Sequence, residues 1–337
     1  MRLVLSYVVS GICKSLRQNS SLLKQSTIVE NVKYRYFHSS ALNMVSATNT
    51  TKTFQRLPKA VKPTNYRLRL QPDLKKFSFA GSSEIEVSVL ESTNKIVLNS
   101  ADLTIHQVAF KSESGKNLAA SVLLNEADET AEFTFPEVLP TGNGVLEIKY
   151  DGILNDKLKG FYRSKYTMAN GEERYAAVTQ FESTDARRAF PCWDEPAIKA
   201  TFDVTLVAPK DKVALSNMPA KKETVEGDIK ITEYERTPIV STYLIAFIVG
   251  DFEHIEAKDS NGVLVRVFTQ IGKKEQGRFA LDVAVKTLPF YKVRFNFHFS
   301  ILFNSMFRII STSDIHFQKW TSLLFLILRL VPWKTGV

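Results

Sequence analysis

The sequence predicts a mainly β protein, an antiparallel sandwich or saddle, and three features carry that expectation. From Leu57 onward, apolar and polar residues alternate with period two in short stretches. Pro, Gly, Asn and Asp punctuate those stretches at spacings suited to turns. A helical recurrence of apolar residues arrives late, over Gly277–Lys292.

In chain order, the expected strands are Tyr66–Leu70, Phe77–Phe79, Ser83–Val89, Ile96–Leu98 and Leu103–Phe110. Pro72, Gly81, Ser92-Thr93-Asn94 and Asp102 read as the turns between them. Phe133–Phe135, Leu146–Tyr150 and Phe161–Tyr166 continue the pattern. The run Arg174–Phe181 is rich in β-branched and aromatic residues and reads as extended. If the extension reaches Glu182, then Gln180 and Glu182 share one face and Phe181 takes the other. Val263–Thr269 reads as a strand, and Gly277–Lys292 as a helix that Pro289 would kink near its end.

The chain has 337 residues, 44% of them hydrophobic, enough for one large core or two smaller ones. Its formal charge of +9 sits at the ends: residues 1–43 contribute +5 and residues 293–337 contribute +4, leaving the middle neutral. A neutral body gives no electrostatic footprint for nucleic acid. Cys13 and Cys192 are far apart in the sequence, so a structural disulfide is not expected. No apolar run is long enough to span a bilayer.

Residues 1–43 are rich in Arg, Lys and Ser and hold no acid before Glu30, the composition of a mitochondrial transit peptide. Arg35-Tyr36-Phe37 followed by His38-Ser39-Ser40 reads as its processing site. A secretory signal fits less well, because Ser6, Ser10 and Gly11 break the apolar stretch. The competing reading is a disordered tail without an address. Initiation at Met44 would give a cytoplasmic form, with residues 44–56 as a linker.

The stretch Thr179–Phe202 crowds Asp185, Arg187, Arg188, Asp194 and Glu195 among Phe190, Cys192, Trp193 and Phe202. Charges set among bulky apolar groups need partners, and a structural ion-pair network is the expectation for these five. Glu182 has two readings: it pairs with a neighbouring arginine, or it presents a carboxylate beside the Gln180 amide for a ligand. The whole stretch closely resembles a signature of the zinc aminopeptidases of the aminopeptidase N and puromycin-sensitive aminopeptidase family. Pro63-Thr64-Asn65-Tyr66, Gly152–Asp156 with Gly160–Arg163, Leu215–Pro219 and Ser241–Phe252 extend the resemblance over Leu57–Lys292.

That resemblance implies that residues 57–252 form the family's N-terminal β-domain. It also implies that residues 253–292 are the first strand and helix of a thermolysin-like α/β catalytic domain. It gives Gln180 and Glu182 the role of binding the substrate's first residue, with Glu182 gripping the free α-amine of a peptide N-terminus. The family's cofactor is zinc, held by H-E-x-x-H and a further glutamate. This sequence has no H-E-x-x-H, and His38, His106, His254, His298 and His316 are scattered, so no zinc is expected on this chain. A non-catalytic β-sandwich that binds a peptide or protein is the alternative reading.

Residues 293–337 lack this resemblance. Tyr291-Lys292 followed by Val-Arg is what a retained intron would encode, and a one-base shift of Arg308–Val337 yields Y-P-L-P-K-M-D and G-A-M-E-N, both motifs of the family. The expectation for this tail is translated non-coding and out-of-frame sequence.

Overall fold

A computed structural model describes residues 56–294 apart from 114 and 169, together with the backbone of 308–311, and gives side chains through Phe290. The expected transit peptide and almost all of the linker and the tail lie outside the described residues.

The fold is mainly β, as expected. Its strands are β1 (Val61–Asp73), β2 (Ser78–Val89), β3 (Thr93–Asn99), β4 (Leu103–Ser112), β5 (Gly115–Leu118), β6 (Ser121–Asn125), β7 (Thr130–Leu139), β8 (Gly142–Ile153) and β9 (Gly160–Thr167). There follow β10 (Glu173–Gln180), β11 (Thr201–Pro209), β12 (Val213–Ser216), β13 (Ala220–Glu226), β14 (Ile229–Tyr234) and β15 (Phe247–Gly250). Then come β16 (Phe252–Lys258), β17 (Leu264–Gln270), helix α1 (Arg278–Arg294) and β18 (Arg308–Ser311).

An eight-stranded sheet runs β13-β14-β11-β1-β2-β8-β4-β5, and a three-stranded sheet runs β3-β7-β6. A four-stranded sheet, β12-β15-β10-β9, carries the segment that resembles a binding site. Pairing is antiparallel except for β1 with β11 and β17 with β18. From Tyr66 to Leu70 of β1 the alternation is strict: Tyr66, Leu68 and Leu70 are buried while Arg67 and Arg69 face water. The buried side chains of the first three sheets merge into one core, from Leu57 to Val249.

On the water face of the large sheet, Arg67 pairs with Glu84 and Glu86 across β1 and β2, and Arg236 with Asp203. Partial burial pushes the Glu147 carboxyl up, but hydrogen bonds from Lys111 and Lys116 outweigh it and hold the group below its ordinary range. These are solvated pairs on a neutral surface, worth little each.

Two expectations need correction. The first is the turns at Pro72 and Gly81: Pro72 lies inside β1, opposite Phe79 of β2, and Gly81 is not a turn either. It lies inside β2, directly opposite Tyr150 of β8, while Phe79 lies opposite Gly152. Each aromatic ring covers the bare backbone of the glycine facing it, so the glycines provide room rather than a change of direction. Tyr150 closes the arrangement by sharing a 3.2 Å hydrogen bond with Ser83. Gly81→Val should therefore drive a side chain into the Tyr150 ring and cost about 1–3 kcal/mol, read as a lower urea midpoint with an unchanged slope.

The second correction concerns residues 253–292, expected as one strand and a helix. The chain forms a hairpin of β16 and β17 before the helix, and the parallel strand β18, inside the tail read as out-of-frame, adds to the β17 edge. Val265 and Val267 of the hairpin pack on Leu281, Ala284 and Leu288 of α1 in a core of their own. The helix contains Pro289 and continues to Arg294, two residues past the expected end.

Candidate functional site

Phe181 fixes the geometry of the candidate site. Its ring is buried 5.9 Å from that of Phe190 and 5.7 Å from that of Phe247, both edge-on. The series continues through Phe161, 4.9 Å from Phe247, and on the other side through Phe202 and Tyr66, which stack at 4.7 Å. Threonine and backbone reinforce the anchor, since the Phe247 N–H donates to Thr179 Oγ1 at 3.1 Å. With Phe181 held inward, the residues flanking it turn outward: Gln180 is half-buried and Glu182 exposed.

Strand β10 ends at Gln180, so the extension does not reach Glu182. The Glu182–Ser183 peptide bond is cis, and the Asp185 N–H closes a turn onto the Phe181 carbonyl at 2.9 Å. Across that turn Gln180 Nε2 donates to the backbone carbonyl oxygen of Glu182 at 3.5 Å. The result is a rim on which the Gln180 amide meets the main chain of Glu182, with the Glu182 residue exposed to solvent. An exposed carboxylate can accept hydrogen bonds from an ammonium.

Behind the rim stands the expected ion-pair network, and the structure adds members that the sequence did not suggest. Arg187 Nε donates to Asp194 Oδ2 at 3.1 Å, and its Nη1 to Glu129 at 3.1 Å. Arg188 binds Asp185 at 2.9 Å and also reaches Asp102 and Glu129. Asp194 is buried and accepts the Thr242 hydroxyl at 2.6 Å, while its own N–H donates to Asn99 at 3.1 Å. Glu195 takes Arg56 at 2.7 Å and the Leu57 N–H at 3.0 Å. Asn99, Asp102, Glu129 and Thr242 lie far from this stretch in sequence. In the sequence Asp102 reads as a turn and Thr242 falls in the Ser241–Phe252 match, while nothing singles out Asn99 or Glu129.

Cys192 is buried and free, bridged through its backbone to Asn99. Burial pushes its thiol well up, and the Asp194 carboxylate pushes the same way. The Tyr66 hydroxyl is likewise pushed up by burial and accepts the Trp193 N–H at 3.2 Å. Both groups are neutral core members, not nucleophiles.

At the other end of β10 the surface opens into a cleft of about 900 Å³ between the β1–β2 turn and the ends of β11 and β14. Arg174, Lys212, Asp211 and Asp251 line it, and Asp251 ties it together by accepting from Lys212 at 2.8 Å, Tyr166 at 3.1 Å and Arg174 at 3.3 Å. Arg174 and Gln180 are six residues apart on one strand, roughly 20 Å at the rise of a strand, so the cleft and the rim are separate features.

The two histidines among the described residues take separate partners. His106 pairs with Asp151 at 2.7 Å and His254 with Glu256 at 3.5 Å. Among the described residues, no three His, Cys, Asp or Glu side chains gather as metal ligands do. The described residues do not fit zinc. No helix among them is long and apolar enough to cross a membrane.

Known proteins share part of this sequence. A family model described as the Peptidase M1 N-terminal domain matches residues 62–244. Aminopeptidase M1 of Arabidopsis thaliana is 51% identical over 244 residues, 71% of this chain and 28% of that protein. The puromycin-sensitive aminopeptidase of Caenorhabditis elegans is 38% identical over 301 residues, 84% of this chain and 32% of that protein. Aminopeptidase 2, mitochondrial, of Saccharomyces cerevisiae is 40% identical over 258 residues, 75% and 27% of the two chains. The chain spans under a third of the length of these relatives.

Proposed function

The chain belongs to the M1 aminopeptidase family, and from that premise we propose that it is the substrate-amine-binding part of a zinc aminopeptidase that removes N-terminal residues from peptides. One observation carries the reading. The family match spans Gln180 and Glu182, and support for the reading comes from an exposed Glu182 whose backbone carbonyl accepts from the Gln180 amide, next to the buried Phe181.

The chemistry follows from charge. A peptide's free N-terminus is an ammonium with three donors, and an acylated terminus or an internal peptide bond is not. A fixed carboxylate therefore selects chain ends, and Glu182 takes that role. Gln180 adds a neutral acceptor that orients the same group. Zinc, when present in a complete enzyme of the family, polarises the scissile carbonyl and supplies activated water. On this proposal neither its ligands nor a general base falls to the described residues, and the chain by itself is expected to be inactive.

The test uses two proteins. Purified chain, incubated with aminoacyl chromogenic substrates and added zinc, should show no turnover that a chelator abolishes. A chimera in which residues 57–292 replace the matching part of the Arabidopsis Aminopeptidase M1 should hydrolyse them. Chelator-sensitive turnover by the chain alone, or a folded but inert chimera, would contradict the proposal.

Localisation belongs to the same proposal: mitochondrial from Met1, cytoplasmic from Met44. The acid-poor leader supports it, as does the mitochondrial designation of the yeast relative.

A further inference from the structure

We infer that β6 is a docking edge for a second copy of this chain, joined antiparallel about a two-fold axis through Leu123. Strand β6 ends the three-stranded sheet and pairs with β7 on one side, Leu123 opposite Glu132. An edge strand turns alternate N–H and C=O groups outward, and proteins ordinarily protect such edges with Lys, Pro or a bulge. Here the strand reads Ser-Val-Leu-Leu-Asn, with no charge, no proline and no break in its register.

Its apolar side chains are the second observation. Val122, Leu123 and Leu124 are 39%, 63% and 45% exposed, and Leu118 on the neighbouring edge strand β5 is 54% exposed. Val122 and Leu124 pair with Phe133 and Ala131, both fully buried, so they lie on the core face of the sheet. The core layer thus continues outward past the point where the fold covers it.

The register selects a second copy as occupant. In an antiparallel pair centred on Leu123, Val122 of each copy faces Leu124 of the other, and facing residues share a side of the sheet. Four apolar side chains then extend the core layer across the junction, with the two Leu123 side chains meeting on the opposite side. Glu126, the first charge beyond the strand, faces the uncharged Ala120 of the other copy. A parallel in-register pairing would instead set Glu126 beside Glu126. The self-complementary arrangement is isologous and closes after two copies, forming one six-stranded sheet. Five residues a side make a small interface, so the dimer is weak.

The test is sedimentation of the 337-residue chain across a concentration series, with and without Leu123→Lys. Leu123 lies on the outward side of the sheet, so the variant keeps the native melting curve. Two like charges placed directly opposite should weaken the dimer by about tenfold or more. Leu123→Cys in a Cys13→Ser background should form a disulfide-linked dimer on mild oxidation, because cross-strand pairs lie within disulfide reach. Val225→Cys, exposed on β13, should not. A chain that stays monomeric at every concentration overturns the inference. So does a dimer indifferent to Leu123→Lys, or an edge that takes only extended peptides and no second copy.

Discussion

Asp194→Ala should lower the unfolding free energy of the chain by about 3–5 kcal/mol, the cost of breaking a buried ion pair from one side. The carboxylate accepts from Arg187 Nε, the Arg187 N–H and the Thr242 hydroxyl, and all three donors lose their partner together. Arg187 is the more serious loss, since its guanidinium is largely buried and keeps only the Glu129 carboxylate and the backbone carbonyl of residue 194. Domains of ordinary stability have about 5–15 kcal/mol in total, so the variant sits near the limit of folding. Urea unfolding followed through the buried Trp193 measures it. Replacing Arg187 and Asp194 together by apolar residues should cost less than the sum of the single changes, because no lone charge then remains. Strict additivity would mean that the pair is not the unit of stabilisation.

Glu182→Gln in the Arabidopsis chimera should reduce kcat/KM on free-amine substrates by about 100-fold, the worth of a charge-assisted hydrogen bond from an ammonium in a site that substrate covers. Gln180→Ala should cost about tenfold, since a neutral acceptor contributes roughly half as much. The melting temperature of both should stay at the parent value, because neither side chain is part of the core. The discriminating measurement is competition by a peptide and by its N-acetylated form. The parent chimera should favour the free peptide strongly, and Glu182→Gln should erase that preference. Retained discrimination would remove Glu182 from its assigned role and leave the fold assignment intact.

The β architecture was legible because burial alternates along most strands as the sequence does. Tyr66, Leu68 and Leu70 against Arg67 and Arg69 are enough to orient β1. Gly81 misled because a glycine in a strand pattern signals either a turn or a close approach, and only the facing Tyr150 tells which. The shape of the candidate site was only partly legible. Phe181 inward and Glu182 outward follow from alternation, whereas the turn after Gln180 depends on a contact between Phe181 and Asp185 that no periodicity encodes. The network behind it was half visible. Arg187, Arg188 and Asp194 announce a need for partners, but Asn99, Glu129 and Thr242 answer it from distant loops and strands.

The parallel pairing of β1 with β11 bears on how the chain is made. Asn65 meets Thr201, and Leu70 meets Leu206, so an inner strand of the largest sheet waits for a partner more than a hundred residues downstream. During synthesis β1 can zip to β2 at once, but its other edge stays open until Thr201–Pro209 has left the ribosome. A nascent chain stalled before that point carries an unguarded ladder, and it is the species most in need of a chaperone.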